Sequence, residues 1–261
     1  MGRRAANALV AAALVPAAVA GAAAGPPSSL SDSFDDAATL SRWQVIEGDL
    51  QDGVAPQFDI DRTTPGELTI VPGRSWWVHR DRAFALLRPV VGDFVATAKI
   101  RISGKSGPVP TANWSLSGLL LRRVTTARAN ENWLAFRLGR VDGVDVFERK
   151  TTVNGNSLLQ LSPAPNGWVE LRVARVGSRF LYLRRPAGGN WNFHYSYVRT
   201  DLPQSLLVGV DAFSGYDDSK ADLVSHVDYV NFASTGVPGP LRKAVLAGKR
   251  SERALLPYLK R

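Results

Sequence analysis

The stretch DFVATAKIRISG, residues 93–104, sets Phe94, Ala96, Ala98, Ile100 and Ile102 against Val95, Thr97, Lys99 and Arg101. Successive side chains of an extended chain point to opposite faces, so apolar residues at every second position describe a strand with one buried face. Runs of the same kind recur along the chain: GELTIVPG (66–73), LSGLLLRR (116–123), NWLAFRLGR (132–140), VDVFERK (144–150), WVELRVARVGSRFLYLRR (168–185), WNFHYSYVR (191–199) and SLLVGVDAF (205–213). β-Branched and aromatic residues dominate them, and clusters of turn-forming residues separate them. In the longest, Gly177-Ser178 stands between two alternating halves, the composition of a two-residue hairpin turn. No segment of the body keeps a helical period for three turns. The chain therefore reads as all-β, with roughly a dozen or more strands in a mainly antiparallel two-sheet structure.

Both ends depart from this pattern. Arg3 and Arg4 precede the apolar run ALVAAALVPAAVAG (8–21), and Ala22 and Ala24 form an A-x-A site, the layout of a secretory signal peptide. A membrane anchor needs about 20 continuous apolar residues, whereas Pro16 interrupts a shorter run here. The expected organisation is a signal peptide over 1–24, a linker over 25–33, a β domain over 34–235 and a basic flexible tail over 236–261. STGVPGP (234–240) marks the last boundary, and Gly248 and Pro257 interrupt any helix beyond it. Cleavage would leave a secreted, periplasmic or cell-envelope protein with no transmembrane segment. The chain has no cysteine, which excludes thiol chemistry and requires the core to hold without covalent cross-links.

The formal net charge of +9 suggests a polyanion until it is located. Two positive charges lie in residues 1–24 and a net six in residues 241–261, which leaves the body at +1. Its basic and acidic residues are interspersed without a single-sign patch, so nucleic acid is not an expected partner.

SDSFDD (31–36), LSRWQVIEGD (40–49), ELTIVPGRSWW (67–77), GDFVATAKI (92–100), SGLLLR (117–122), ENWLAFRLGR (131–140), VNGNS (153–157), VELRVARVGSRF (169–180) and the closing VDYVNF (227–232) form an ordered set. Together they resemble the bacterial DUF1349 family of concanavalin A-like lectin/glucanase domains. More loosely, they are similar to the concanavalin A-like domain at the C-terminal end of family 43 β-xylosidases. The resemblance implies a jelly-roll sandwich of two curved antiparallel sheets with the first and last strands adjacent. It implies carbohydrate as a partner by analogy of fold only, because this fold hosts lectins, hydrolases, lyases and structural modules. In several such domains an N-terminal acid and an aspartate of the last strand share a structural calcium, a pair that would here be Asp35 and Asp228. Simple surface placement explains the same two residues.

Retaining glycosidases need two carboxylates flanking the scissile bond. GVDVFE (143–148) sets Asp145 and Glu148 at the second and third positions of the E-x-D-x-x-E pattern of laminarinase-type hydrolases, but Gly143 stands in the nucleophile's place. Glycine has no group to attack an anomeric carbon, and an ordinary strand with Val144 and Val146 inward explains the run. His79, His194 and His226 lie far apart and form no Ser-His-Asp or H-x-x-x-H pattern. DDSKADLVSHVD (217–228) lacks the central glycine and final glutamate of an EF-hand loop. It reads as an acidic loop entering a last strand that carries His226 and Asp228 on one face.

Sugar recognition needs an aromatic face for the C–H side of a pyranose and planar polar groups for its hydroxyls. In NWLAFRLGR, alternation assigns Leu134, Phe136 and Leu138 to the core and turns Trp133 and Arg137 outward. Arg122 joins them from a neighbouring strand, with Trp77 and His79 at the edge. In WNFHYSYVR, Trp191, Phe193, Tyr195 and Tyr197 share one face, which is assigned to the core. The expectation is an exported, non-catalytic, lectin-like domain that binds a carbohydrate or envelope glycan in a shallow groove through Trp77, His79, Arg122, Trp133 and Arg137. No cofactor is required beyond the calcium just described. A glycoside hydrolase or polysaccharide lyase with an unrecognised site, and an envelope interaction module using the basic tail, are the alternatives.

Overall fold

The computed structural model describes residues 27–125, 127–217 and 220–261; the expected signal peptide lies outside them. Their strands form two antiparallel seven-stranded sheets. The front sheet runs, edge to edge, β1 (Gln44–Ile46), β4 (Phe84–Val91), β13 (Ser205–Phe213), β6 (Ser115–Arg122), β7 (Trp133–Val141), β8 (Val144–Val153) and β9 (Asn156–Pro163). The back sheet runs β12 (Asn192–Val198), β11 (Arg179–Pro186), β10 (Val169–Val176), β5 (Phe94–Ser103), β14 (Val224–Ala233), β3 (Leu68–Val71) and β2 (Gln57–Ile60).

The alternation read from the sequence sets the central core. Phe94, Ala96, Ala98 and Ile100 of β5 share it with Leu134, Phe136 and Leu138 of β7 and with Val169, Leu171 and Val173 of β10. Burying each large side chain of this set contributes about 1.5–3 kcal/mol. Asp32 and Val230 exchange main-chain hydrogen bonds of 2.9 Å, an isolated bridge to the last strand, whereas β1 itself lies at the edge of the other sheet, so the first and last strands are not adjacent, contrary to expectation. The Asp32 carboxylate accepts from the Phe34 N–H and from Trp43 Nε1.

β12 departs from the simple alternation. Its register against β11 slips between Tyr182 and Leu183, where Tyr195 and Phe193 are the successive partners and His194 is skipped. This bulge breaks the expected single aromatic face. Phe193 and Trp191 pack on the outside of the back sheet, Tyr197 packs on the central core, and His194 stacks on Phe136 at 5.0 Å. A second bulge leaves Asp228 unpaired between Val227 and Tyr229, so His226 and Asp228 are not neighbours on one regular face. His226 Nδ1 meets Glu67 at 2.9 Å, while Asp228 pairs with Lys99 at 2.5 Å.

The expected flexible tail is instead a docked helical layer. α1 (Gly239–Leu246) and α2 (Leu256–Leu259) lie on the outer face of the back sheet. Val245, Leu255 and Leu259 are fully buried there with Val95, Ala174, Val176, Leu181, Leu183 and Trp191. The residues read as helix breakers punctuate this layer. Gly248, at φ 73°, takes the left-handed position that closes α1, and Pro257 sits in the first turn of α2, where its missing N–H has no helical partner to lose. The outer faces of β5, β10 and β11 are mixed, and Val95, Ala174, Val176, Leu181 and Leu183 form the apolar part that the tail's leucines cover.

The β10–β11 turn is the seat of α1. Gly177 has φ 60°, and a Cβ there would lie 2.8 Å from the Leu246 side chain. Its N–H donates to Asp93, which also binds Arg242 of α1 at 2.5 Å. Gly177→Ala is expected to cost about 1–2 kcal/mol from the left-handed backbone alone. Urea unfolding should register this loss, and hydrogen exchange should quicken across residues 239–246.

Burial, with Arg184 and Arg149 nearby, depresses His194 to a pKa of about 4. The folded protein therefore holds this imidazole neutral, while the unfolded chain takes up a proton below about pH 6.5. Stability from this group is complete above that pH and is lost as pH falls towards 4. The melting temperature of His194→Phe should fall less than that of the wild type across this window, and parallel profiles would contradict the assignment.

Candidate functional site

One row of residues crosses the outer face of the front sheet. Register places Asp211 of β13 beside Gly118 of β6, Gly118 beside Arg137 of β7, and Arg137 beside Glu148 of β8. Gly118 supplies the gap: a Cβ there would stand 2.9 Å from Arg137 Cγ and 2.2 Å from the Phe136 carbonyl oxygen. The Arg137 guanidinium passes over it, donates from Nε and Nη2 to Asp211 at 2.5–3.0 Å, and donates from Nη1 to Glu148 at 2.5 Å. Lys150 Nζ lies 3.6 Å from the other Glu148 oxygen and donates to the Trp77 carbonyl at 2.7 Å.

All four charged groups are buried, two of each sign. Burial works against the charge of Arg137, but Asp211 and Glu148 outweigh it and hold the guanidinium above its ordinary pKa. Burial lowers Lys150 and raises Asp211, in each case against opposite charges nearby.

The expected recognition residues do come together, but inside. Trp133 and Arg137 lie on the face opposite Leu134 and Phe136, as alternation requires, yet both are fully buried, as is Trp77; Arg122 is 4% exposed. Trp77 meets Trp133 edge-on at 6.0 Å, Arg122 lies 5.8 Å from the Trp77 ring, and Arg137 lies 5.6 Å from the Trp133 ring. They are buried because the segment between β3 and β4 folds across this face and is tied down at several points. Arg82 and Arg122 share Glu131, Arg128 Nη1 donates to the Arg80 carbonyl at 3.2 Å, and His79 and Ser157 exchange hydrogen bonds. His79 remains exposed at the rim.

What solvent reaches instead is an aromatic cleft of about 200 Å³, lined by Trp76, Trp77, Trp114, Lys150, Phe213 and Tyr216. Tyr216 stands edge-on to Trp76 at 5.0 Å and to Trp114 at 6.3 Å, and is 43% exposed. Trp76 Nε1 donates to Asp81, which fixes the ring. Trp114 has φ 54° and His79 has φ 52°, left-handed conformations that cost bulky residues about 1–3 kcal/mol and cluster at functional sites. Adjacent residues in SWW gave a hint of this cleft. Trp114 and Tyr216 come from distant loops, and no local pattern joins them.

A larger cavity, about 650 Å³, lies between loops that include Lys105, Thr111, Lys220 and Asp222. The Asp222 carboxylate there is occupied by the N–H groups of Lys105 and Thr111 and by the Thr111 hydroxyl, and no ring lines the space. It closes loops rather than offering a binding face.

The remaining candidates are engaged elsewhere. Asp142-Gly143, both at positive φ, form the two-residue turn between β7 and β8, so Gly143 sits at a hairpin tip. Val144 is 56% exposed beside it, contrary to expectation, and Val146 packs on the outer face of the front sheet. Asp145 pairs with Arg140 at 2.8 Å. Asp35 is exposed, and Asp228 is taken by Lys99. Among the described residues no group of three or more His, Cys, Asp or Glu side chains gathers as metal ligands.

Comparison with solved structures identifies the architecture. The chain is similar to part of a mutant of the GH43 protein BlXynB from Bacillus licheniformis, with 15% identity, TM-score 0.61, and coverage of 79% of this chain and 39% of that one. The fold is a concanavalin A-like jelly roll. It is also similar to the xyloglucan PUL GH43B of Bacteroides ovatus, with 14% identity, TM-score 0.58, and coverage of 85% and 42%. A functionally unknown protein from Saccharomyces cerevisiae matches with 13% identity and TM-score 0.54, over 75% of this chain and 97% of that one. The chain thus spans about two fifths of the two GH43 proteins. No family model and no curated protein matches it.

Removing the central cation of the row leaves two buried carboxylates facing each other. Arg137→Met is expected to destabilise the domain by about 3–5 kcal/mol. Chemical denaturation should also show part of this loss recovered in the Arg137→Met, Asp211→Asn double variant. Additive effects would disprove the coupling.

Proposed function

We propose that this is an exported, non-catalytic, lectin-like domain of the DUF1349 type that binds carbohydrate in the Trp76–Trp114–Tyr216 cleft. One observation carries the reading: three partly exposed rings from separate loops converge on a cleft of about 200 Å³ with a single charged group, Lys150, at its wall. Rings set edge to face leave flat apolar surfaces against which the C–H face of a pyranose stacks, and Lys150 can donate to a hydroxyl. The cleft is smaller than the roughly 300–1,000 Å³ of drug-sized ligand pockets, which suits one sugar ring at a chain end. The buried cluster first expected to touch the ligand acts here as the support beneath the cleft.

The hydrolase alternative needs a carboxylate that reaches substrate. Glu148 and Asp211 are both held by Arg137 and neither lines the cleft, which favours binding over cleavage. Secretion follows from the N-terminal sequence pattern and belongs to the same proposal. A structural calcium at Asp35 and Asp228 finds no support in the Lys99 pairing, and the proposal does not need it.

A glycan array followed by calorimetry tests the reading. Trp114→Ala and Tyr216→Ala should each weaken binding of the best glycan by up to about tenfold, the scale of one aromatic contact. His226→Ala, remote from the cleft, should leave it unchanged. Failure of the wild type to bind any plant, microbial or host glycan sinks the idea.

A further inference from the structure

One edge of the front sheet is open to another strand. Among the described residues the two sheets end in four edge strands, and three of these are blunted in ways that discourage pairing. β1 has three residues, β2 has four with Asp59 among them, and β12 carries the bulge at His194. β9, by contrast, has eight residues and pairs with β8 without a register shift. It also lacks charge, the usual guard of an edge: no Asp, Glu, Lys or Arg occurs from Thr151 to Val169, the longest such run among the described residues. Its apolar side chains stand in water, with Leu158 75% and Leu159 42% exposed.

The β8–β9 turn fixes which main-chain groups face outward. Asn154 and Gly155, both at positive φ, form a two-residue turn closed by Val153 and Asn156. Such a closing pair exchanges hydrogen bonds, and bonded and non-bonded pairs alternate from it. Asn156, Leu158, Gln160 and Ser162 therefore bond to β8, whereas Ser157, Leu159 and Leu161 turn their N–H and C=O groups away from it. Ser157 obeys this rule, because its N–H donates to His79 Nδ1. Leu159 and Leu161 present two donors and two acceptors beyond the last strand of the sheet.

We propose that β9 pairs antiparallel with β9 of a second copy of this chain, joining the two front sheets into one continuous sheet. A two-fold axis through Gln160 sets Leu159 opposite the partner's Leu161, and Leu161 opposite the partner's Leu159, so all four outward donors find acceptors. The pairing ends where the chain stops it. The next position sets Ser157, whose N–H is already taken, opposite the partner's Pro163, which has none. A second copy fits this edge better than an unrelated strand, because symmetry matches the donors and acceptors on both sides and neither strand has a charge to desolvate.

Pairing also adds a wall to the aromatic cleft. Leu159 lines that cleft, and Leu159 and Leu161 stand on the outer face of the sheet beside Lys150 and Glu148 of β8. The partner's Leu161 lies next to Leu159 on the same face and extends the apolar wall. Because the two-fold axis is perpendicular to the sheet, both clefts open to the same side. Two clefts so placed suit a polymer of repeated sugars; that consequence rests on the glycan reading, and the pairing itself does not.

Sedimentation equilibrium of the full chain over a concentration series tests the pairing with no glycan present. Wild type should pass from one chain to two and stop there. Gln160 is exposed and meets its own copy across the axis, so Gln160→Lys and Gln160→Glu should each weaken the dimer at least tenfold by setting like charges opposite each other. An equimolar mixture of the two variants should restore it. Hydrogen exchange of wild type needs no variant: the amides of Leu159 and Leu161 should gain protection as concentration rises. Trp114→Ala should dimerise like wild type, so failure of the glycan reading and failure of this one are distinguishable. A monomer at every concentration, open-ended growth beyond two chains, full-strength dimers in both Gln160 variants, or no recovery on mixing overturns the proposal.

Discussion

The buried arginine over a glycine gap organises the front of the molecule. Arg137 can reach Asp211 two strands away only because Gly118 has no side chain between them, and it reaches Glu148 by ordinary cross-strand pairing on its other side. Such a guanidinium in low dielectric is tolerable because opposite charges flank it on both sides. Once this neutral cluster sits on the sheet, the face must be closed against water if the ion pairs are to keep their strength. The β3–β4 segment closes it with Trp77, and Lys150 ties that segment to the row through the Trp77 carbonyl.

Closure moves the accessible surface outward. With Trp77 and Trp133 consumed as packing, the rings left at the surface are Trp76, Trp114 and Tyr216, held on loops above the cluster. Rigid support under a binding surface lowers the ordering cost of a ligand contact, so a stiff polar layer below an aromatic cleft is coherent with recognition. The back sheet follows the same logic in another form: an apolar patch on its outer face, Val95, Ala174, Val176, Leu181, Leu183 and Trp191, is covered by the C-terminal helices.

Much of this was legible in residues taken alone. The period of two in β5 and β7 sorted core from non-core, and Gly177-Ser178 located a hairpin. The resemblance in segment order implied the jelly roll that the sheets display. Alternation names the face a side chain takes but does not say what lies over that face, which is why Trp133 and Arg137 read as exposed. Their fate depends on Gly118, Asp211 and a loop some 50 residues upstream, brought together only by register. The bulges at His194 and Asp228 shift the period by one residue without a marker in composition. Gly248 and Pro257 were visible as breakers; in a helix-turn-helix layer the same residues are caps.

The central row also bears on whether a domain of this shape cuts what it holds. Two carboxylates face each other across it, a geometry that elsewhere would suggest acid and nucleophile. Here a guanidinium stands between them and binds both, and both are fully buried and absent from the cleft lining. Drawing Glu148 towards a ligand would strip a buried arginine of one partner and leave Lys150 facing the cleft without its own. Breaking such a pair costs about 3–5 kcal/mol, comparable to the whole stabilisation a typical sugar contact returns at millimolar affinity. On the proposed reading, a site built this way holds its charges for structure and leaves the ligand to its aromatic rim.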